Sequence, residues 1–159
     1  ATGTAAGGRC SDSEPAPHVC VGGADGRLAA LIGGRAAVAV SDPRLPRVVA
    51  PAEVGDEILG HLPAIARKRR LDLGVLLPVI AALPVEWIDA ADYAYQEAEA
   101  RRRMTDRDEK DWPVVALSLS LHASTAVCIW TQDRDFEVSG IRQLTTGALL
   151  DTLRVLDDL

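Results

Sequence analysis

Three cysteines stand in 159 residues, at Cys10, Cys20 and Cys128. Their spacing fits neither a disulfide framework nor a zinc motif, so they are read as reduced thiols. No apolar run is long enough to cross a bilayer, which excludes a membrane-spanning helix. The first residues lack a basic start and an apolar segment, so no secretory signal is expected, and the expected location is the cytoplasm. Positive charge is also in deficit. The formal net charge is −6, whereas nucleic-acid binders favour basic surfaces. The deficit leaves room for a site built from carboxylates, because a metal centre concentrates negative charge that its cations neutralise.

Familiar site motifs are missing too. Gly22-Gly23-x-x-Gly26 falls between an expected strand and an expected helix, but it is not a full GxGxxG and no phosphate-loop Lys-Ser/Thr accompanies it. A flexible connector is the simpler reading. Asp106, Asp108 and Asp111 do not follow the ligand spacing of an EF-hand, and no glycine sits where that loop needs one. His18, His61 and His122 have no partner at metal-ligand spacing. Ser118 and Ser120 lie inside an apolar helical stretch without a nucleophile elbow, which argues against a hydrolase triad.

What is present is an alternation of strand and helix patterns. Hydrophobic content of 48% and this length suit one domain with a full core. Residues 1–17, rich in Gly, Ala, Ser and Pro, are expected to form a disordered tail, with a single domain over 18–159. Strands are expected at 18–21, 47–50, 85–88, 126–131 and 141–144. Helices are expected from Arg27 toward Ile32, at 35–40, from Pro51 to about Arg70, at 73–83 with a possible break at Pro78, at 91–103, through the apolar run from Val114, and from Gly147 to about Leu156 with Thr146 as N-cap. In the helix after Pro51, Val54, Ile58, Leu62 and Ile65 form the buried stripe, while Glu53 and Glu57, four apart, share a face beside it. The alternation implies a parallel sheet flanked by helices, an α/β class. Arg67–Arg70 and Arg101–Arg103 offer contacts to phosphates, with solvated helix ends as the more ordinary reading. Trp87, Trp112 and Trp130 read as core or interface aromatics, Trp112 being of special interest because it adjoins Asp111.

The stretch from Arg107 to Phe136, RDEKDWPVVALSLSLHASTAVCIWTQDRDF, organises the rest. Asp111 is an expected N-cap with Pro113 tolerated in the first turn. Ala126–Trp130 is continuously apolar, as a central parallel strand would be, and Asp133 lies just past its end. Ligands in open α/β sheets bind outside the carboxyl ends of strands. Arg107-Asp108-x-x-Asp111-x-Pro113 with Val115-Ala116-Leu117-x-Leu119 resembles the RDxxDxPxxALAL segment of PIN domains, the metal-dependent nuclease fold of many VapC-type toxins. Trp130-Thr131-x-Asp133-x-Asp135-Phe136 resembles their TxDxDF segment. Gly140 and Leu144-Thr145-Thr146 continue the likeness, which extends from about Leu28 to Leu153.

The resemblance implies a three-layer α/β/α fold with a central parallel sheet of about four to five strands. It also implies an endoribonuclease using Mg²⁺ or Mn²⁺, acting on RNA, with an antitoxin protein and a homodimer as expected assemblies. Residue by residue, it assigns Glu57 to the helix Glu, Asp111 to the central-helix Asp and Asp133 to the post-strand Asp. Asp108 and Asp135 stand as secondary candidates. The chemistry suits these residue types, since hard cations take oxygen ligands. The first motif departs from the family pattern. Alignment on Leu28–Gly34 sets Gly23 where the family has Asp, and Asp25 where it has Asn. Either a shifted loop brings Asp25 into the metal site, or the domain is a weakened or inactive relative that binds RNA or protein.

Overall fold

The computed structural model describes residues 16–23 and 35–155. The expected helix from Arg27 toward Ile32, and Asp25 itself, lie outside these residues. The strands are β1 (Val19–Gly22), β2 (Arg47–Pro51), β3 (Val85–Ile88), β4 (Val127–Trp130) and β5 (Gln143–Leu144). All are paired in parallel, in the order β3-β2-β1-β4-β5. The helices are α1 (Arg35–Ser41), α2 (Ala52–Arg69), α3 (Leu73–Ala81), α4 (Glu97–Arg103), α5 (Trp112–His122) and α6 (Thr146–Val155). No described helix is long and apolar enough to cross a membrane.

Strand alternation sorts side chains into two cores. Val19 and Val21, Val49, and Val127 and Ile129 face one side with Val54, Ile58, Leu62 and Ala66 of α2, Leu76 and Ile80 of α3, and the buried run of α5. Cys20, Val48, Cys128 and Trp130 face the other side with Ala36 and Ala39 of α1 and Leu149 and Leu150 of α6. The result is the expected three-layer α/β/α sandwich, with five strands. Helix α5 is buried from Pro113 through Ser118. The buried Ser118 hydroxyl donates to the Val114 carbonyl at 2.7 Å, so its placement in an apolar helix leaves no orphan donor.

Four local expectations are corrected. The helix foreseen over 91–103 is two 3₁₀ turns, Ala90–Asp92 and Ala94–Gln96, followed by α4. Tyr93, at φ −129° and ψ −3°, breaks the helix, and its side chain is fully buried. Ile65 is only half-buried and Ala66 completes the α2 stripe, keeping every fourth residue inward. The N-cap assigned to Asp111 moves upstream, because a 3₁₀ turn at Glu109–Asp111 runs straight into α5. Asp108 accepts from the Lys110 N–H at 3.0 Å, and Asp111 makes no cap hydrogen bond. Thr145 rather than Thr146 caps α6, accepting from the Ala148 N–H at 3.1 Å. Thr146 instead accepts from Trp130 Nε1 and Gln132 Nε2, both at 3.1 Å, which fastens the exit of β4 to the start of α6. Pro78 lies within α3 without ending it.

Glycine matters at one helical position. A Cβ on Gly55 of α2 would meet Trp87 Cε3 and Cζ3 at 3.0 Å, whereas one on Gly60 would meet nothing within 4 Å. Gly55→Val is therefore expected to destabilise the fold by about 1–3 kcal/mol through overpacking against the indole. Gly60→Ala is expected to stabilise it by roughly 0.5–1 kcal/mol, the helix-propensity gain alone. Urea midpoints of both variants beside the parent check the opposed signs.

Candidate active site

The chain runs β1, β2, β3 in one direction across the sheet and then returns to place β4 on the other side of β1. This reversal is a topological switch point, where open α/β sheets bind ligands beyond the carboxyl ends of their strands. Cys20 pairs with Cys128 and Gly22 with Trp130 across it. Two of the predicted carboxylates belong to this edge. Asp133 follows β4 directly. Helix α5 leads through a short connection into β4, so its first turn, beside Asp111, lies at the same edge.

The turn after β4 is built to present a carboxylate. The Asp133 N–H donates to Thr131 Oγ1 at 3.0 Å, and Asp133 Oδ1 accepts from the Asp135 N–H at 2.8 Å. Phe136, buried among the larger core, anchors the 3₁₀ turn Arg134–Ser139 that follows. Two arginines tie this turn to the segment before α5. Arg107 Nη1 lies 3.6 Å from Asp135 Oδ1, and Arg103 Nη1 donates to the Ser139 carbonyl. The structure thus joins the Asp108–Asp111 and Asp133–Asp135 segments.

Glu57 is placed differently. It lies in the second turn of α2, largely exposed, with His61 Nε2 at 3.9 Å. One turn nearer the strand end, Glu53 receives a hydrogen bond from the buried Tyr93 hydroxyl at 3.4 Å. Tyr93 tilts against Trp112 at 6.0 Å between ring centroids, and Arg101 sits 5.1 Å over the Trp112 ring. A chain of contacts therefore leads from Glu53 to the residue beside Asp111. Sequence reasoning placed Glu53 on the face of Glu57 without giving it a site role, and did not name Tyr93. The signal available was the four-residue spacing of Glu53 and Glu57, which gives both one helix face.

Burial and the neighbouring Glu53 carboxylate push the Tyr93 phenol up to about 12. A native-state absorbance titration is expected to show one tyrosine ionising near that value, and Tyr93→Phe to remove it. Because the folded pKa exceeds the unfolded one, the associated stability is complete below about pH 10 and falls as pH rises toward 12.

The two basic runs separate. Helix α2 starts at the carboxyl edge and is 18 residues long, about 27 Å, so Arg67–Arg70 sits at the opposite edge. The run in α4 is engaged in ion pairs: Arg101 with Glu97 at 2.8 Å, Arg102 with Glu99 at 2.6 Å and Arg103 with Glu99 at 2.9 Å. Hydrogen bonds from Arg102 and Arg103 hold the Glu99 carboxyl down to about 2.

The donors at the carboxyl edge are carboxylate oxygens, which fit Mg²⁺ or Mn²⁺ in kind. Among the described residues, no group of three or more Asp, Glu, His or Cys side chains is placed to hold an ion. Mg²⁺ commonly keeps several waters and takes only one or two carboxylates, so the pair of acidic segments is compatible with such an ion.

The fold is a parallel α/β/α sandwich with Asp133 at its switch point. The PIN domain family model matches residues 23–154, and the chain belongs to that family. PIN domains are generally metal-dependent nucleases. No curated protein matches the chain.

Proposed function

We propose that this chain is a metal-dependent endoribonuclease of PIN type, serving as the toxin of a toxin–antitoxin pair. The observation that carries the reading is the switch point, where Asp133 leaves β4 and the Asp108–Asp111 segment is joined to Asp135 through Arg107. In this reading Glu57, Asp111 and Asp133 hold Mg²⁺ or Mn²⁺, with Asp25 as a further ligand and Asp108 and Asp135 as secondary candidates. Bound there, the cation supplies an activated water and stabilises charge developing on the phosphodiester. The chain's own residues supply placement. Thr131 and the Asp135 N–H orient Asp133. Arg107 offsets the charge of Asp135. An antitoxin and a second copy of the chain are the protein partners in this reading.

The test is cleavage of a mixed RNA substrate by the parent, Asp111→Asn and Glu57→Gln with Mn²⁺ or Mg²⁺. Losses of about 100-fold or more in the variants are expected. Cleavage by Asp111→Asn at the parental rate would sink the assignment.

One observation favours a second reading. The end of β1 at the switch point carries Gly22 and Gly23, with no side chain to offer a ligand. On that basis the domain is a PIN-like module that binds RNA or protein without cutting. Robust metal-dependent cleavage abolished by Glu57→Gln excludes it. RNA retention without cleavage, unaffected by chelator, favours it.

A further inference from the structure

Two of the three cysteines sit directly opposite one another on adjacent parallel strands. Cys20 of β1 pairs with Cys128 of β4 in the sheet register. Both side chains point to the same face, beside Trp130, Leu149 and Val48, and neither is exposed. Their sulfurs are 3.2 Å apart, although the residues are 108 positions apart in sequence. Neighbouring strands lie about 4.8 Å apart, inside the roughly 4.4–6.8 Å range of Cα separations that a disulfide spans.

We propose that Cys20 and Cys128 are a dithiol–disulfide pair, a covalent modification site that ties β1 to β4 beneath the switch point. The inference is independent of the nuclease reading. The reagent class is a small-molecule disulfide such as oxidised glutathione. One protein thiolate attacks the reagent and releases one molecule of reduced glutathione. The second protein thiolate then displaces the other. Two protein S–H bonds and the reagent S–S bond are lost, one protein S–S bond forms, and both protons leave on the two reduced glutathiones.

Formation is slow in the folded state. The hydrogen bond to Cys128 and burial both push the Cys20 thiol well above its ordinary pKa, so the attacking thiolate is scarce. Exchange therefore follows opening of the β1–β4 neighbourhood. Once formed, the link closes a loop of more than 100 residues, the span over which chain-entropy stabilisation is largest.

The experiment uses the full chain, the Cys10→Ser variant and the Cys20→Ser variant. Each is incubated with oxidised glutathione in native buffer and in sub-denaturing urea, then alkylated after denaturation and mapped by peptide mass spectrometry. The expected result is a Cys20–Cys128 linked peptide, two hydrogens lighter than the reduced pair, in the parent and in Cys10→Ser, formed faster in urea and reversed by dithiothreitol. The linked protein is expected to melt several degrees higher than the reduced protein. Cys20→Ser is expected to show neither change. Full alkylation of Cys20 and Cys128 under both conditions overturns the proposal, as does a link that recruits Cys10 as often as the strand pair.

Discussion

Mn²⁺ is expected to raise the thermal midpoint of the parent, and Asp133→Asn is expected to abolish that rise and to lower RNA cleavage by about 100-fold or more. The substitution separates charge from structure. Asn retains the side-chain oxygen that accepts from the Asp135 N–H at 2.8 Å, so the turn after β4 keeps its local hydrogen bond. It removes the negative charge that strengthens a carboxylate's hold on a hard cation. At a free metal concentration 100 times the dissociation constant, binding stabilises the folded state by about 2.7 kcal/mol. For a domain of this size that is a rise of about 5–10 °C. A shift present in the parent and absent in the variant, with equal midpoints in chelator, supports a working site at the carboxyl end of β4. Equal shifts in both remove Asp133 from the metal site. No shift in either directs attention to the glycines at the end of β1 and to the binding-module reading.

Phe136→Ala is expected to cost about 3–5 kcal/mol of folding stability, the largest loss foreseen from one substitution here. Phe136 is the single phenylalanine of the chain. It is only 3% exposed and belongs to the larger core, yet it sits three residues after Asp133 in the adjoining 3₁₀ turn. Truncation leaves a cavity that the surrounding packing fills only in part. It also unfastens the turn that presents Asp133, so a loss of metal response is expected beside the loss of stability. Domains of this kind hold only about 5–15 kcal/mol in total, so the variant loses a large share. Phe136→Leu keeps an apolar anchor and is expected to cost roughly 1.5 kcal/mol. Urea midpoints at constant m-value measure both. A cost below about 1 kcal/mol for Phe136→Ala would mean that the turn is not held by this side chain.

The architecture was largely legible in the chain because strand and helix periods are local. Val19 and Val21 against Cys20, or Val54, Ile58 and Leu62 at every fourth position, declare their buried faces without reference to distant residues. The segment that led to the family was also local. Asp108, Asp111, Asp133 and Asp135 lie close to one helix start and one strand end, and a parallel sheet puts such ends at one edge.

What failed was capping and turn detail. Asp111 and Thr146 were plausible caps by residue type, yet Asp108 and Thr145 carry the hydrogen bonds. The 3₁₀ turn before α5 moves its entry upstream, and Thr146 is claimed by Trp130 and Gln132 from another element. Tyr93 interrupts an otherwise helical stretch with a non-helical backbone, and its buried ring meets Trp112 and its hydroxyl Glu53.

The sequence by itself determined the α/β alternation, the buried faces and the identity of the acidic segments, since each depends on residues a few positions apart. Only the tertiary structure decided the strand order that makes a switch point between β1 and β4, the arginine ties from Arg103 and Arg107 to the turn after β4, and the opposition of Cys20 and Cys128. Those depend on which distant segments share the sheet and in what register, and long-range pairing leaves no periodic trace in either segment alone.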